Sequence, residues 1–172
     1  KTPLDKYECR HGMNYTRITG AKNGIEASVL FFVPLKTWAE VQKLTLTNTS
    51  NETKSFKLFS FEEWCLWNAA TDMENFQRNW STGEVEIDSN EKGCVIYHKT
   101  EYKERRNHYA YYSVNVPVQG YDTDRESFVG LYNEFSGPKC VLAGKPSNSL
   151  AHGWSPIASH YIEVTLAPGC LW

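Results

Sequence analysis

Apolar and polar residues alternate in short stretches along this chain, and no long stretch repeats its apolar positions at helical spacing. Ile25, Ala27, Val29, Phe31 and Val33 alternate with Glu26, Ser28, Leu30 and Phe32, the two-residue period of a strand. Its second face is also partly apolar, which predicts cover on both sides. Pro34 ends the run, since proline has no N–H for a ladder. Val41 to Asn48 then sets Leu44 and Leu46 against Lys43, Thr45 and Thr47, and the polar residues from Asn48 to Thr53 form a turn. Ser55 to Leu66 carries Phe56 and Leu58 on one face and Phe59 and Phe61 on the other. That pattern predicts a central strand.

Val85 and Ile87 mark a further strand, turned back by Asp88 to Gly93 into Cys94–Tyr97 as a hairpin. His108 to Val116 places Ala110, Tyr112, Val114 and Val116 on one side, and Pro117 closes it. Ser127 to Tyr132 is a less regular strand, and Glu134 to Asn148 reads as a loop containing glycine and proline. Ile162, Val164 and Leu166 alternate with Glu163 and Thr165 near the end. Lys1 to Gly24 is polar, punctuated by Gly12, Gly20 and a Lys22-Asn23-Gly24 turn. Short strands at regular spacing predict an all-β antiparallel sandwich, with residues 1–172 as one domain.

Composition narrows the classes of partner. The 172 residues carry a net charge of −2, which gives no electrostatic case for nucleic acid or an anionic membrane. Lys99, Lys103, Arg105 and Arg106 interleave with Tyr97, Tyr102 and Tyr109, but Glu101 and Glu104 offset half of that charge. A solvated turn accounts for them better than a nucleic-acid site, and an arginine pair bracing the neighbouring loop or an interdomain contact is the further alternative. No apolar run approaches the roughly 18 residues that span a bilayer, and the opening residues do not read as a secretory signal. Cys9, Cys65, Cys94, Cys140 and Cys170 are scattered and show no CxxC pairing. They read as reduced thiols of a cytoplasmic protein, and the sequons at Asn14, Asn48, Asn51 and Asn79 read as chance matches in that setting.

Candidate chemistry concentrates between Glu62 and Gly83. Asn68, Asn75, Gln77 and Arg78 supply planar donors and acceptors, and Phe76 and Trp80 supply flat apolar faces. Sugars need both, directed hydrogen bonds for hydroxyls and rings for their C–H faces. The same composition also fits a long connection whose aromatics tuck into a core. Elsewhere the signals are thin. His11, His98, His108, His152 and His160 never fall at metal-ligand spacing with another strong ligand, so no metal site is assigned. Asp122-Thr123-Asp124 resembles the Asp-x-Asp of metal-dependent glycosyltransferases, but so short a motif is common in loops. Glu62 and Glu63 are adjacent, so on a strand they face opposite ways and cannot form an acid/base pair.

Ordered blocks carry a resemblance. Trp64-Cys65-Leu66-Trp67-Asn68 followed by Asn75-Phe76-Gln77-Arg78-Asn79 is similar to the N-terminal β-sandwich of cellobiose phosphorylases, in family 94 of the glycoside hydrolases. The similarity continues through Glu8-Cys9-Arg10-His11-Gly12-Met13-Asn14-Tyr15-Thr16-Arg17-Ile18 and Tyr97 to Tyr102 with Arg105 to Tyr109. It recurs at Tyr121-Asp122-Thr123-Asp124-Arg125 and at Ser147 to Trp154. The resemblance implies a galactose-mutarotase-like supersandwich, incomplete at both ends, in an enzyme that splits a β-linked disaccharide such as cellobiose. Inorganic phosphate is the co-substrate, the product is a sugar 1-phosphate formed with inversion, and no cofactor is implied. The acid that protonates the leaving oxygen sits in a separate helical barrel with no counterpart here, so no catalytic residue is assigned. The resemblance further implies a homodimer, in which Asn68, Asn75, Gln77 and Arg78 bind substrate near the acceptor-sugar end of the adjoining subunit's site. A stand-alone carbohydrate-binding or structural sandwich without catalysis is the alternative reading.

Overall fold

The computed structural model describes residues 3–64, 70, 83–90, 93–100, 108–151, 153 and 155–172. They are strand-rich and antiparallel, as expected of an all-β domain. Two compact units divide the chain: residues 1–56 with 164–172, and residues 57–163.

The first unit contains a meander of β1 (Lys6–His11), β2 (Tyr15–Lys22), β3 (Ile25–Phe32) and β4 (Val41–Asn48), paired in that order. Ile25 opposite Lys22 and opposite Asn48 fixes the register of the three longer strands. Asn23 and Gly24 both have positive φ, 51° and 79°, the two-residue hairpin turn whose twist matches its strands. β1 and β2 lie in the polar segment before Gly24, where the sequence pattern assigns no strand. Five of the six β1 residues are exposed, so no buried face imprints an alternation on that strand.

Asn48 locks this unit. It is fully buried and uses its whole amide: Nδ2 donates to Glu52 O (2.8 Å) and Leu166 O (2.9 Å). Its Oδ1 accepts from Ser50 N and Ser50 Oγ. Its main chain completes the join, donating to Cys170 O and accepting from Gly169 N, both at 3.0 Å. Two bonds between Leu46 and Trp172 extend the same pairing along β4.

In the second unit the organising strand is β11 (Pro156–Leu166), whose first eight residues belong to it. It lies between β10 (Gly120–Asp124) and β5 (Lys54–Phe59), whose last three residues belong to this unit, and also pairs with the short β6 (Glu62–Glu63). A second sheet runs β7 (Gly83–Asn90), β8 (Gly93–Thr100), β9 (His108–Ser113). Consecutive β11 residues serve different cores. Ile157 joins Phe128, Val129 and Cys140, with Phe59 and Phe61 against them. Ala158 joins Ile96, with Trp64, Val85, Ile87, Tyr112, Val118 and Tyr121 against them. Both faces are covered, so Pro156 to Ile162 is buried without interruption and its alternation is erased.

Several expected elements differ. The strand drawn from Ser55 to Leu66 breaks at Ser60–Phe61, where Ser60 N donates to His160 O (3.0 Å) and Ser60 Oγ accepts from His160 N (2.9 Å). A side chain there takes up a ladder bond and splits β5 from β6. Ser127–Tyr132 is not a strand: helix α1 spans Arg125–Val129, begun by Asp124 accepting from Ser127 N at 2.6 Å and stopped by Gly130. The loop from Glu134 holds α2 (Lys139–Ala143), set between Pro138 and the left-handed Gly144. Helices of five residues are too short to show a period. β9 ends at Ser113 instead of Val116, and β10 was not anticipated. No helix among the described residues is long and apolar enough to cross a membrane.

Replacing Asn48 by leucine removes two donors and an acceptor from a site that water does not reach. We expect urea unfolding to show a loss of about 2–4 kcal/mol, and Asn48→Asp to lose nearly as much because its carboxyl cannot donate twice. A loss below about 0.5 kcal/mol for both would contradict the locking role.

Candidate functional site

Asn68, Asn75, Gln77 and Arg78 lie outside the described residues. The structure does describe the two strands that carry the segment 65–82 and the groups that hold them.

β6 enters the segment. Its two residues pair with β11, Glu63 opposite Ile157 and Glu62 opposite Ala158. The Glu63 carboxylate accepts from Arg125 Nε at 2.6 Å, with both side chains about one-third exposed. The Arg125 guanidinium lies 5.1 Å from the centre of the Phe135 ring, and Phe135 meets Phe61 edge-on at 5.1 Å. A planar cation flanked by a carboxylate and an aromatic face has little freedom left. Trp64, next in the chain, packs against the Ile96–Ala158 cluster. β7 leaves the segment, and its Val85 and Ile87 pack against that same cluster. Both roots of the candidate sugar-binding segment therefore rest on one apolar core.

A second construction brings together two of the sequence blocks noted above. Asp122 is fully buried on β10. Its carboxyl group accepts from the backbone N–H of Ser147 (3.1 Å) and of Ser149 (3.1 Å), and from both serine hydroxyls. Thr123, equally buried, bonds Ser149 O through its N–H and its hydroxyl, each at 3.1 Å, and accepts from Ala151 N at 2.8 Å. Asn148 Oδ1 accepts from Tyr121 N at 3.1 Å, and Ser149 Oγ accepts from Asp124 N at 3.3 Å. The clasp satisfies an irregular stretch of backbone that has no ladder of its own. It also explains Asp122-Thr123-Asp124, whose first aspartate holds residues 147–149 while the second caps α1.

His160 is buried on β11 and stacks on Tyr112, ring centres 5.3 Å apart and planes 11° from parallel. Burial pushes the Tyr112 phenol above its usual range, a hydrogen bond with Ser60 opposing the shift. Sequence reasoning missed the Glu63–Arg125 pair and the clasp. One signal was available for the clasp: a run of serines and asparagine rich in donors, in a chain that also holds a short acidic block rich in acceptors.

Asp122→Asn would turn one acceptor into a donor facing donors, and it should cost about 1–3 kcal/mol of unfolding free energy. Asp124→Asn, which keeps a capping oxygen, should cost a few tenths. Equal effects in urea titrations would contradict the assignment of separate roles. For Glu63→Gln and Arg125→Gln, a double-mutant cycle should give a coupling of about 1 kcal/mol. A coupling near zero would remove the pair as a brace for β6.

Comparison with known proteins bears out the block resemblance. Residues 1–170 match the family described as glycosyl hydrolase 94, supersandwich domain. A solabiose phosphorylase of Paenibacillus borealis is 32% identical over 171 residues, 98% of this chain and 22% of that protein. N,N'-diacetylchitobiose phosphorylases of Vibrio proteolyticus and Vibrio furnissii are 29% and 27% identical, each matched over 95% of this chain and 20% of the relative. The chain thus spans about a fifth of the length of the curated relatives it matches. With a family match across nearly its whole length, the chain belongs to the glycosyl hydrolase 94 supersandwich domain family.

Proposed function

We propose that this chain is the sandwich part of a disaccharide phosphorylase, which supports cleavage of a β-linked disaccharide by inorganic phosphate to a sugar 1-phosphate and a free sugar. The observation that carries the reading is the family match over residues 1–170 together with relatives named as disaccharide phosphorylases. Those names support the class of substrate and do not single out cellobiose. In this reading the acid that protonates the leaving oxygen belongs to a helical barrel outside this sequence, and phosphate takes the place of the activated water of an inverting glycosidase.

The role of the sandwich is to present the segment 65–82. Its roots, Trp64 on one side and Val85 and Ile87 on the other, pack on the same Ile96–Ala158 core, and substrate positioning demands such a fixed base. Arg78, aided by Gln77, hydrogen-bonds hydroxyls of the sugar in the acceptor position, with Asn68 and Asn75 lining the same entrance. Arginine's fork of donors can hold two neighbouring hydroxyls, which a lysine cannot do with the same geometry. The reading includes a homodimer in which the segment serves the adjoining subunit, and a cytoplasmic setting motivated by the scattered, unpatterned cysteines.

In the complete enzyme, Arg78→Ala should lower kcat/KM for phosphorolysis by about 1–3 kcal/mol while the melting temperature stays nearly unchanged. An arginine that merely braced its own segment would lower thermal stability first and affect all acceptors alike. Unchanged acceptor affinity in the reverse, synthetic direction would sink the substrate contact.

A further inference from the structure

On the edge strand β1, three side chains form a chain of contacts that the reading above leaves unused. Cys9 Sγ lies 3.4 Å from His11 Nε2, and His11 Nδ1 lies 3.0 Å from Thr16 Oγ1. The sheet makes this arrangement. Cys9 and His11 are two residues apart on one strand, so they share a face, and Thr16 is the residue opposite His11 on β2. With Nδ1–H donating to Thr16, the Nε2 lone pair faces the thiol. A nucleophile, a base within its reach and a third group orienting the base is the pattern of an activated nucleophile. Cys9 and His11 are both exposed, so a reagent can reach the sulfur. The nearest arginine on the strand, Arg10, projects to the other face and is paired with Glu8 at 2.7 Å.

Two further cysteines offer internal controls. Cys170 is exposed and Cys140 is buried. Burial raises the Cys140 thiol above its usual range, with the nearby Asp122 adding to the shift.

We propose that Cys9 is a thiol-modification site that exchanges with low-molecular-weight disulfides, with His11 as its proton acceptor and Thr16 as a positioning residue. The thiol proton passes to His11 Nε2 and the sulfur attacks one sulfur of the disulfide. The reagent's S–S bond breaks as the Cys9 mixed disulfide forms, and the departing thiolate takes up the proton. Cys9 is oxidised and the departing half of the reagent is reduced to a thiol, so no further oxidant is needed.

The test uses the complete protein that carries this chain, oxidised glutathione at neutral pH, and peptide mass spectrometry to follow each cysteine separately. Cys9 should acquire the glutathionyl group about 10-fold faster than Cys170, with Cys140 reacting more slowly than Cys170. His11→Gln should bring Cys9 down to the Cys170 rate without altering Cys170. Thr16→Val should slow Cys9, and Thr16→Ser, which keeps the hydroxyl, should restore it. Equal rates at Cys9 and Cys170 in the unsubstituted chain would overturn the proposal even if a variant failed to fold. An unchanged Cys9 rate in folded His11→Gln would overturn it as well.

Discussion

A buried carboxyl group must find donors, and in the second unit this requirement shapes the chain around Asp122. Left without partners, such a group would cost on the order of 1–3 kcal/mol or more. Asp122 meets the need with two serine N–H groups and two serine hydroxyls. Satisfying the aspartate fixes residues 147–149, and Thr123 carries the clasp on to Ala151. The next residues of β10 then start α1 through the Asp124 cap, and the first residue of that helix is the Arg125 that grips Glu63. One short acidic block thereby organises a loop, a helix and the strand leading into the candidate sugar-binding segment. The order of effects runs from local hydrogen bonding to the placement of function.

The fixed base matters because the proposed chemistry is a matter of position. In phosphorolysis by an inverting route, the sandwich would donate no proton and no nucleophile. It would hold one sugar where the departing oxygen meets its acid. An error of an ångström in such a contact reduces rate sharply. A segment with both roots in the Ile96–Ala158 core and an ion pair at its entry is suited to that task. The relatives differ in the sugar they are named for, and one fold can carry different specificities.

The strands legible in the sequence are those whose apolar residues recur at a two-residue period, whether their faces differ in burial, as in β4, or are both half-buried, as in β3. β3 and β4 were read to within a residue because Ile25 to Phe32 and Val41 to Asn48 retain their period. β1 was invisible because both of its faces are wet, and the buried start of β11 because both of its faces are dry. Helices α1 and α2 were hidden by their brevity, although Asp124 and Gly144 carry their capping signals. The break at Ser60 depends on a bond to His160, one hundred residues away in sequence, and no local pattern could reveal it. For the site, the blocks of residues pointed to the family, while their pairing with one another, Asp122 to Ser147 and Glu63 to Arg125, required the fold. Spacing told which residues were unusual. Only geometry told that Asp122-Thr123-Asp124 is a clasp and a cap.

The central functional claim concerns phosphate. The protein that carries this chain should be given a panel of β-linked disaccharides with inorganic phosphate, and the products followed by phosphorus NMR. The account predicts a sugar 1-phosphate resonance of inverted anomeric configuration, formed only when phosphate and the matching disaccharide are both present. Release of free sugars at a rate indifferent to phosphate, with no phosphorylated sugar, would contradict it.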